Sequence, residues 1–182
     1  MSETPTFETS QGALAGIRVV DASRILGGPY CGQVLGDHGA DVLKIEPPQG
    51  DDTRAWGPPF QDGVASYYLG LNRNKRLMRL DLATEADRAV LLGLLAEADV
   101  VVENFKPGTL AKYGLDYASL SAVNPRLIYA SHKGFLPGPY DHRTALDEVV
   151  QMMGGLAYMT GPEGRPLRAG ASVNDIMGGM FG

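Results

Sequence analysis

Residues 16–46 have the sequence GIRVVDASRILGGPYCGQVLGDHGADVLKIE, in which strand-like and helix-like patterns alternate. Residues 16–21 are rich in β-branched side chains and predict a strand. A Gly-Gly-Pro turn at 27–29 precedes a helix, and Gly39-Ala40 ends that helix before a second apolar strand at 41–46. A strand, a helix and a second strand in this order predict a βαβ unit with parallel strands.

The same alternation continues after this unit. Residues 47–63 contain four prolines and are predicted to form a long loop. Further strands are predicted at 75–82, 99–105 and 126–131, and further helices after a Thr84-x-x-Asp87 capping box and at 115–123. We therefore expect an α/β fold with a Rossmann-like open parallel sheet and flanking helices.

The two ends of the chain differ from this core. Residues 1–13 lack periodicity and are predicted to be a flexible lead-in, so we assign residues 14–182 to one α/β domain. The apolar residues between Ile176 and Phe181 lie on one face of a helix that has completed about two turns at Gly182. We expect the chain to be the N-terminal part of a longer polypeptide, with this apolar face lacking its partners.

The composition excludes several classes of protein. Sixteen basic and 21 acidic residues give a net charge of −5 without any basic block, so nucleic acid is not expected as a partner. No apolar stretch approaches the ~20 residues of a bilayer span, and no signal peptide precedes the domain, so we expect no membrane partner and a cytoplasmic location. The single cysteine, Cys31, excludes an intrachain disulfide and is predicted to be buried in the core.

Open parallel sheets bind ligands at the carboxyl ends of their strands, so the residues after each strand are candidates. These are residues 24–29, Glu46 with the loop after it, residues 104–108 and residues 131–134. Gly27-Gly28 before a helix could present N–H groups to a phosphate or simply form a tight turn. Glu46 stands where a dinucleotide-binding fold has its ribose-binding acid, which keeps a dinucleotide-dependent oxidoreductase as an alternative. The three scattered histidines predict no metal site.

Asp175 directly precedes the apolar helix at the end of the chain. An acid at this place would serve as the N-cap or as a first-turn residue. The same position suits a nucleophile, because the helix dipole favours the ionised carboxylate and a carboxylate can attack acyl groups. The residues alone leave both interpretations open.

Six stretches of the chain resemble the class III CoA-transferases, the CaiB/BaiF family. They are GIRVVD at 16–21, GPYC at 28–31, GADVLKIEP at 39–47, NRNKR at 72–76, VENFKPG at 102–108 and GGL at 154–156. The loop GDDTRAWGPPF at 50–60 is most similar to members that handle dicarboxylic acids such as succinate. Leu26 stands where formyl-CoA transferases carry Gln, so formyl and oxalate chemistry are not expected.

The resemblance implies an enzyme that moves CoA from an acyl-CoA, in our interpretation succinyl-CoA, to a carboxylic acid. It implies that Asp175 is the nucleophile, which forms an acyl-aspartyl anhydride and then an aspartyl-CoA thioester, and that Asp147 is a second catalytic acid. Family members have Gly-Tyr-Asp where this chain has Ala145-Leu146-Asp147. The CoA contacts carry over to Gly27, Leu80, Asp81, Asn104, Phe105, Lys106, Lys112 and Arg143.

The resemblance also has implications for the substrates, the cofactors and the oligomeric state. Coenzyme A and acyl-CoA act as substrates, so no tightly bound cofactor and no metal are expected. Family members form interlocked homodimers from considerably longer chains, in which a glycine-rich loop of the second half closes over the nucleophile. We therefore expect this chain alone to be inactive, which leaves a CoA-binding fragment without turnover as a further alternative.

Overall fold

The computed structural model describes residues 11–182. The first ten residues of the predicted lead-in lie outside the described residues. The elements are β1 (Arg18–Asp21), α1 (Gly27–Asp37), β2 (Asp41–Glu46), β3 (Phe60–Gln61), β4 (Val64–Ala65), α2 (Ser66–Leu71), β5 (Lys75–Arg79), α3 (Glu85–Glu97), β6 (Val100–Glu103), α4 (Tyr117–Val123), β7 (Ile128–Ser131), α5 (Asp147–Met153), α6 (Leu156–Thr160) and α7 (Val173–Phe181). Short 3₁₀ helices at Asp52–Ala55 and Ala111–Tyr113 lie in the connections.

Five strands form one parallel sheet in the order β5-β2-β1-β6-β7. The five predicted strands and the α/β class are thereby confirmed. The central strand is β1, and the chain builds outward to β2 and β5 on one side before it crosses to β6 and β7 on the other. The carboxyl ends of β1 and β6 therefore border the crevice at which open α/β sheets bind ligands.

Both faces of the sheet are buried. Side chains alternate along each strand, so that Val20, Leu43 and Val101 pack with α3 and α4, whereas Val19 packs with Cys31 of α1 on the opposite face. Cys31 is buried, as predicted, and burial raises the pKa of its thiol. Burial on both faces explains the consecutive valines of β1 and β6, whereas the charged side chains of β2 are buried in ion pairs.

The predicted loop at 47–63 is wrong in part, because it contains regular structure. β3 and β4 form an antiparallel hairpin, and its turn residues Asp62 and Gly63 have φ values of 49° and 78°. Asp-Gly tolerates this left-handed conformation, which matches the twist of a two-residue hairpin. The segment is tied to the sheet by Arg54, whose Nε donates to Glu46 Oε2 at the end of β2 (3.0 Å).

One helix start differs from its prediction, and another agrees with it except for one hydrogen bond. The first helix, α1, begins at Gly27, two residues before Pro29. At α3 the Thr84 hydroxyl accepts the Asp87 N–H (3.2 Å), as the capping box predicts. The Asp87 carboxylate, however, accepts the N–H of Asp81 (2.6 Å) and not that of Thr84. This second bond fastens the β5–α3 connection to the helix.

Apolar side chains are exposed on the last helix of the chain. Met177, Met180 and Phe181 are 44%, 51% and 77% exposed. Among residues 11–182, this apolar face therefore remains largely uncovered, as expected. Across residues 11–182, no helix combines the length and the apolar character that crossing a membrane requires.

Candidate active site

A cavity of about 250 Å³ opens where β1, β6 and β7 end. Its lining includes Gly27 at the start of α1, Asn104 and His132 directly after β6 and β7, and Asp147, Asn174 and Asp175 from α5 and α7. This position is the ligand crevice of an open parallel sheet. The fold thus brings together four predicted site residues, Gly27, Asn104, Asp147 and Asp175, that lie far apart in sequence.

Glycines bring α7 into close contact with α1. A Cβ on Gly179 would lie 2.6 Å from the Gly27 carbonyl oxygen and 2.9 Å from Tyr30 Cβ, closer than real side chains approach. A Cβ on Gly27 would lie 3.3 Å from the Asp175 carbonyl oxygen. The absence of side chains at these positions therefore allows the first turn of α7 to lie against the β1–α1 turn.

We expect Gly179→Ala to push α7 away from α1 and to lower the free energy of unfolding by about 1–3 kcal/mol. Gly178→Ala is the matched control, because a Cβ there would lie 3.5 Å from His132 Nδ1, an ordinary contact. Both substitutions gain the same helix propensity, so their difference isolates the clash. Urea denaturation of both variants measures it, and equal stabilities would contradict the close packing described above.

Buried charges hold the β1–α1 turn. Asp21 at the end of β1 accepts the Ser23 N–H (3.0 Å) and a bond from Lys75 Nζ of β5 (2.8 Å). Lys75 Nζ also donates to the Pro29 carbonyl oxygen in α1 (2.7 Å). Lys44 Nζ from β2 donates to the Ser23 carbonyl oxygen (3.0 Å). The ammonium groups of Lys44 and Lys75 therefore bind the backbone at both ends of the turn.

The Asn104 side chain fixes the same turn from β6. Its Oδ1 accepts the Arg24 N–H (2.8 Å), and its Nδ2 donates to the Arg24 carbonyl oxygen (2.6 Å). The next residue, Ile25, has φ of 73°, a rare conformation for a β-branched side chain. Asn104, which the resemblance assigns to CoA, therefore has its amide engaged in holding a strained turn.

Asp175 lies partly buried in the first turn of α7. Burial raises the pKa of its carboxyl group, and the nearby carboxylates of Asp147 and Glu148 raise it further. The expected preference of the helix dipole for the ionised form is therefore outweighed. The Asp175 carboxylate therefore binds a proton more strongly than an ordinary aspartate does. A carboxylate with a higher pKa is also a better nucleophile once it is ionised.

Another residue caps the helix that carries Asp175. Ser172, at the N-cap position, makes no side-chain cap bond. Asp147 Oδ1 instead accepts the N–H groups of Asn174 (2.8 Å) and Asp175 (3.2 Å). The N-cap interpretation of Asp175 is therefore wrong, and its first-turn position is confirmed.

Seven of the eight predicted CoA contacts line three neighbouring cavities, and Lys112 lines none of them. One of about 310 Å³, at the carboxyl ends of β1, β2 and β5, is lined by Leu80, Asp81 and Phe105 among others. A smaller one, of about 80 Å³, is lined by Asn104, Phe105, Lys106 and Arg143 among others. Because Phe105 is shared with the 310 Å³ cavity and Asn104 with the cavity around Asp175, the three spaces follow one another along the sheet edge.

Three of the predicted CoA contacts are cations. Within residues 11–182, no ion pair forms at Lys106, Lys112 or Arg143. Lys133, by contrast, has its ammonium group bound to the buried carboxylate at the end of β6 (2.8 Å). Lys112 is exposed on the 3₁₀ helix whose last residue, Tyr113, lines the 310 Å³ cavity. Cations in these positions suit phosphate oxygens.

His132 received no role from the sequence, yet it lines the cavity around Asp175. Its Nδ1 lies 3.5 Å from the places that a Cβ on Gly27 or on Gly178 would occupy, so the ring is wedged between α1 and α7. Its Nε2 is buried without a hydrogen-bond partner among the described residues. Burial lowers the pKa of the imidazole, which favours the neutral form. Its position directly after β7 was the available signal.

Two further residues near Asp175 carry no signal in the sequence. Burial raises the pKa of Tyr67 on α2 to about 12, and the charge of Asp175 adds to this rise. Gln151 on α5 is fully buried and donates to Asp147 Oδ2 (2.5 Å). Both owe their positions to contacts between elements that are distant in sequence, which local patterns do not reveal.

The Glu46 carboxylate, which favoured a dinucleotide site, is bound by other side chains of the chain. Glu46 is buried, and its carboxylate accepts bonds from Arg54 (3.0 and 3.2 Å) and from the Tyr68 hydroxyl (2.6 Å). It is therefore not available to a ribose. In the part of the chain that the structure describes, no group of three or more His, Cys, Asp and Glu side chains is arranged to hold a metal ion.

The strand order reverses between β1 and β6, and the cavity that holds Asp175 lies at the carboxyl ends of these strands. The structure therefore belongs to the class of open α/β folds that bind a ligand at this edge of the sheet. The sequence profile of CoA-transferase family III matches residues 14–182, almost the whole chain. The chain belongs to CoA-transferase family III. This membership confirms the resemblance inferred from the six stretches of sequence.

Named relatives show how much of the family's length is present. The chain is 50% identical over 177 residues to succinate–glutarate CoA-transferase of Agrobacterium fabrum, which covers 92% of this chain and 44% of the relative. It is 44% identical over 185 residues to acetyl-CoA:oxalate CoA-transferase of Acetobacter aceti, which covers 100% and 47%. The crystal structure of a CAIB/BAIF family protein from Brucella suis has a TM-score of 0.89 at 50% identity, covering 94% and 47%. The chain thus spans less than half the length of these relatives.

Proposed function

We propose that this chain is the CoA-binding, nucleophile-bearing part of a CoA-transferase that moves CoA from succinyl-CoA to a second carboxylic acid. The observation that carries the proposal is a basic, partly buried carboxylate, Asp175, in the cavity at the switch point of the sheet. Family membership supports the reaction class. The identity shared with the succinate–glutarate enzyme supports a dicarboxylic substrate. The complete reaction requires a polypeptide of the relatives' length.

The proposed first half-reaction loads CoA onto the chain. A carboxylate oxygen of Asp175 attacks the thioester carbonyl carbon, the carbon–sulfur bond breaks, and an acyl-aspartyl anhydride and CoA thiolate result. The thiolate then attacks the aspartyl carbonyl of the anhydride. This releases the first acid as its carboxylate and leaves an aspartyl-CoA thioester.

The second half-reaction reverses these steps with the acceptor. The acceptor carboxylate attacks the aspartyl thioester, which gives a second anhydride and releases CoA thiolate. The thiolate attacks the acyl carbonyl that came from the acceptor, so that the new acyl-CoA leaves and the Asp175 carboxylate is restored. Each step exchanges one acyl bond for another, so no oxidant, reductant or metal enters the balance.

The row of cavities supports a CoA molecule laid along the sheet edge. We place its nucleotide end near Leu80 and Asp81, where the larger cavity lies, and its thioester end beside Gly27 and Asp175. Lys106, Lys112 and Arg143, which form no ion pair within residues 11–182, then have phosphate oxygens as partners, with the Arg143 guanidinium already stacked on the Tyr140 ring (4.8 Å). We place the pantetheine arm in the smaller cavity, which lies between the other two.

The proposal is tested by incubating the full-length polypeptide with succinyl-CoA and a panel of acids, with and without NAD(P). We expect a new acyl-CoA without any nicotinamide cofactor. Glutarate belongs in the panel because of the Agrobacterium relative, and oxalate because the Acetobacter relative uses it although Leu26 argues against oxalate here. Turnover that depends on NAD(P) and produces no new thioester would contradict the proposal and favour the oxidoreductase.

The raised pKa of Asp175 predicts the pH dependence of the reaction. Because burial and the charges of Asp147 and Glu148 favour the protonated acid, a higher pH is needed to form the attacking carboxylate. We therefore expect kcat/KM to fall on acidification with a midpoint above the ~3.9 of an ordinary aspartate. A pH profile of the full-length polypeptide measures this limb, and an activity that stays constant down to about pH 4 would contradict it.

We also propose that the full-length protein is a homodimer. The resemblance supports this, because it implies interlocked homodimers; the exposed apolar side chains at the end of α7 fit contact either with a second chain or with the rest of the full-length polypeptide. Sedimentation of the full-length polypeptide tests the proposal, and a monomer at micromolar concentration would overturn it. A cytoplasmic location stays a prediction.

A further inference from the structure

We infer that Asp147 and Gln151 of α5 are positioning residues that hold the start of α7, and with it Asp175, at the cavity. This inference rests on the proposed role of Asp175 as the nucleophile. It differs from the expectation that Asp147 takes part in the chemistry, because it assigns Asp147 a structural and electrostatic action through its neighbour.

The contacts of Asp147 occupy both oxygens of its carboxylate. Oδ1 accepts the N–H groups of Asn174 (2.8 Å) and Asp175 (3.2 Å), and Oδ2 accepts a bond from Gln151 Nε2 (2.5 Å). The residue is 6% exposed. Both oxygens are thus engaged by neighbours, and Arg168 Nη2 lies a further 3.9 Å from Oδ2, so the geometry favours a holding role for Asp147 over an attacking one.

Gln151 extends the same network to the segment before α7. Its Oε1 accepts the Ala169 N–H (2.7 Å), and its Nε2 also donates to the Ala171 carbonyl oxygen (3.1 Å). The side chain is fully buried, so each of these groups would lose a partner if the amide were removed. One turn of α5 thus binds the backbone at four places between residues 169 and 175.

The charge of Asp147 acts on Asp175 as well. Asp147 and Glu148 of α5 both raise the pKa of Asp175. The structure also places around them Tyr67 of α2, His132 and Lys133 after β7, Tyr30 of α1 beside Gly179, and Arg168, whose Nη2 lies 3.9 Å from Asp147 Oδ2. Glu148 is exposed, and none of its hydrogen bonds reaches α7 within the described residues. A substitution of Glu148 therefore changes the charge near Asp175 without changing the hydrogen bonds that hold α7.

Hydrogen exchange tests the positioning without reference to any reaction. In the full-length polypeptide, Asp147→Ala should make the amides of Asn174 and Asp175 exchange about five- to tenfold faster, since their shared acceptor is lost. Gln151→Met keeps the size of the side chain and should speed exchange at Ala169. Glu148→Gln is the matched control and should change neither. Unchanged exchange in Asp147→Ala would overturn the inference, whatever reaction the protein performs.

Kinetics then separate positioning from chemistry. Asp147→Ala and Gln151→Met should lower kcat on the order of 10- to 100-fold with KM for acyl-CoA nearly unchanged, because a displaced nucleophile loses reactivity and not binding. Asp147→Asn keeps an acceptor oxygen but removes the charge, so the acidic limb should move to lower pH by about half a unit or more. Glu148→Gln should move the limb in the same direction without lowering the plateau rate.

Two outcomes distinguish this inference from the proposed function. A covalent CoA adduct on Asp147 would overturn the positioning role while leaving CoA transfer intact. A wild-type protein that transfers no CoA, but in which Asp147→Ala still speeds exchange at Asn174 and Asp175, would overturn the proposed function and support the positioning of this helix.

Discussion

Replacing Asp175 with asparagine should reduce CoA transfer by at least ~10³-fold while leaving the fold intact. The amide has the size of the carboxylate but lacks the charge that attacks the thioester. The cap of α7 comes from Asp147, so neither Asp175→Asn nor Asp175→Ala removes a helix cap. Both variants should therefore unfold at nearly the same urea concentration as the wild type.

Steady-state transfer from succinyl-CoA and urea denaturation of the full-length polypeptide measure these two effects. The matched control is Asp62→Asn, which makes the same change of charge at an exposed aspartate in the β3–β4 turn, outside the cavity. We expect this control to keep most of the activity. Transfer within about tenfold of wild type in Asp175→Asn would mean that another group is the nucleophile.

Lys75→Met should lower the free energy of unfolding by about 3–5 kcal/mol, the largest stability effect we expect. The Lys75 side chain is 1% exposed and pairs with Asp21, which is 0% exposed. Burial lowers the pKa of Lys75, and Asp21 opposes that shift. Methionine would fill the space but leave Asp21 buried without its cation and Pro29 without its donor.

A control on the same strand isolates the buried pair. Arg79→Met replaces an exposed cation of β5 and should change stability by less than about 0.5 kcal/mol. Adding Asp21→Asn to Lys75→Met removes the stranded charge and should recover part of the loss. Urea denaturation measures all of these variants, and a loss below about 1 kcal/mol in Lys75→Met would show that the pair is not essential.

The sheet could be predicted because its residues carry local signals. The consecutive apolar residues at 19–20, 42–43 and 100–102 predict strands that are buried on both faces, and turns or caps separate these strands from the helices. The β3–β4 hairpin also had a signal in Asp62-Gly63, but the surrounding prolines concealed it. The last helices were harder, because glycine and methionine give residues 152–161 no clear period.

The candidate site was predictable only as far as strand ends and family resemblance reach. Gly27 and Asn104 follow strands and could be found by that rule, and the resemblance pointed to Asp175. Gln151 and Tyr67 could not be found, because their significance depends on tertiary contacts with α7 and its surroundings. The action of Asp147 as a cap depends on a helix that begins 26 residues later, so no pattern around Asp147 shows it.

Trapping of the intermediate tests most directly whether Asp175 carries CoA covalently. The full-length polypeptide is mixed with succinyl-CoA, quenched, treated with hydroxylamine and digested for mass spectrometry. We expect a CoA adduct or its hydroxamate on the peptide that contains Asp175, and none in Asp175→Asn. An adduct on Asp147, Glu148 or Cys31, with Asp175 unmodified, would contradict this expectation.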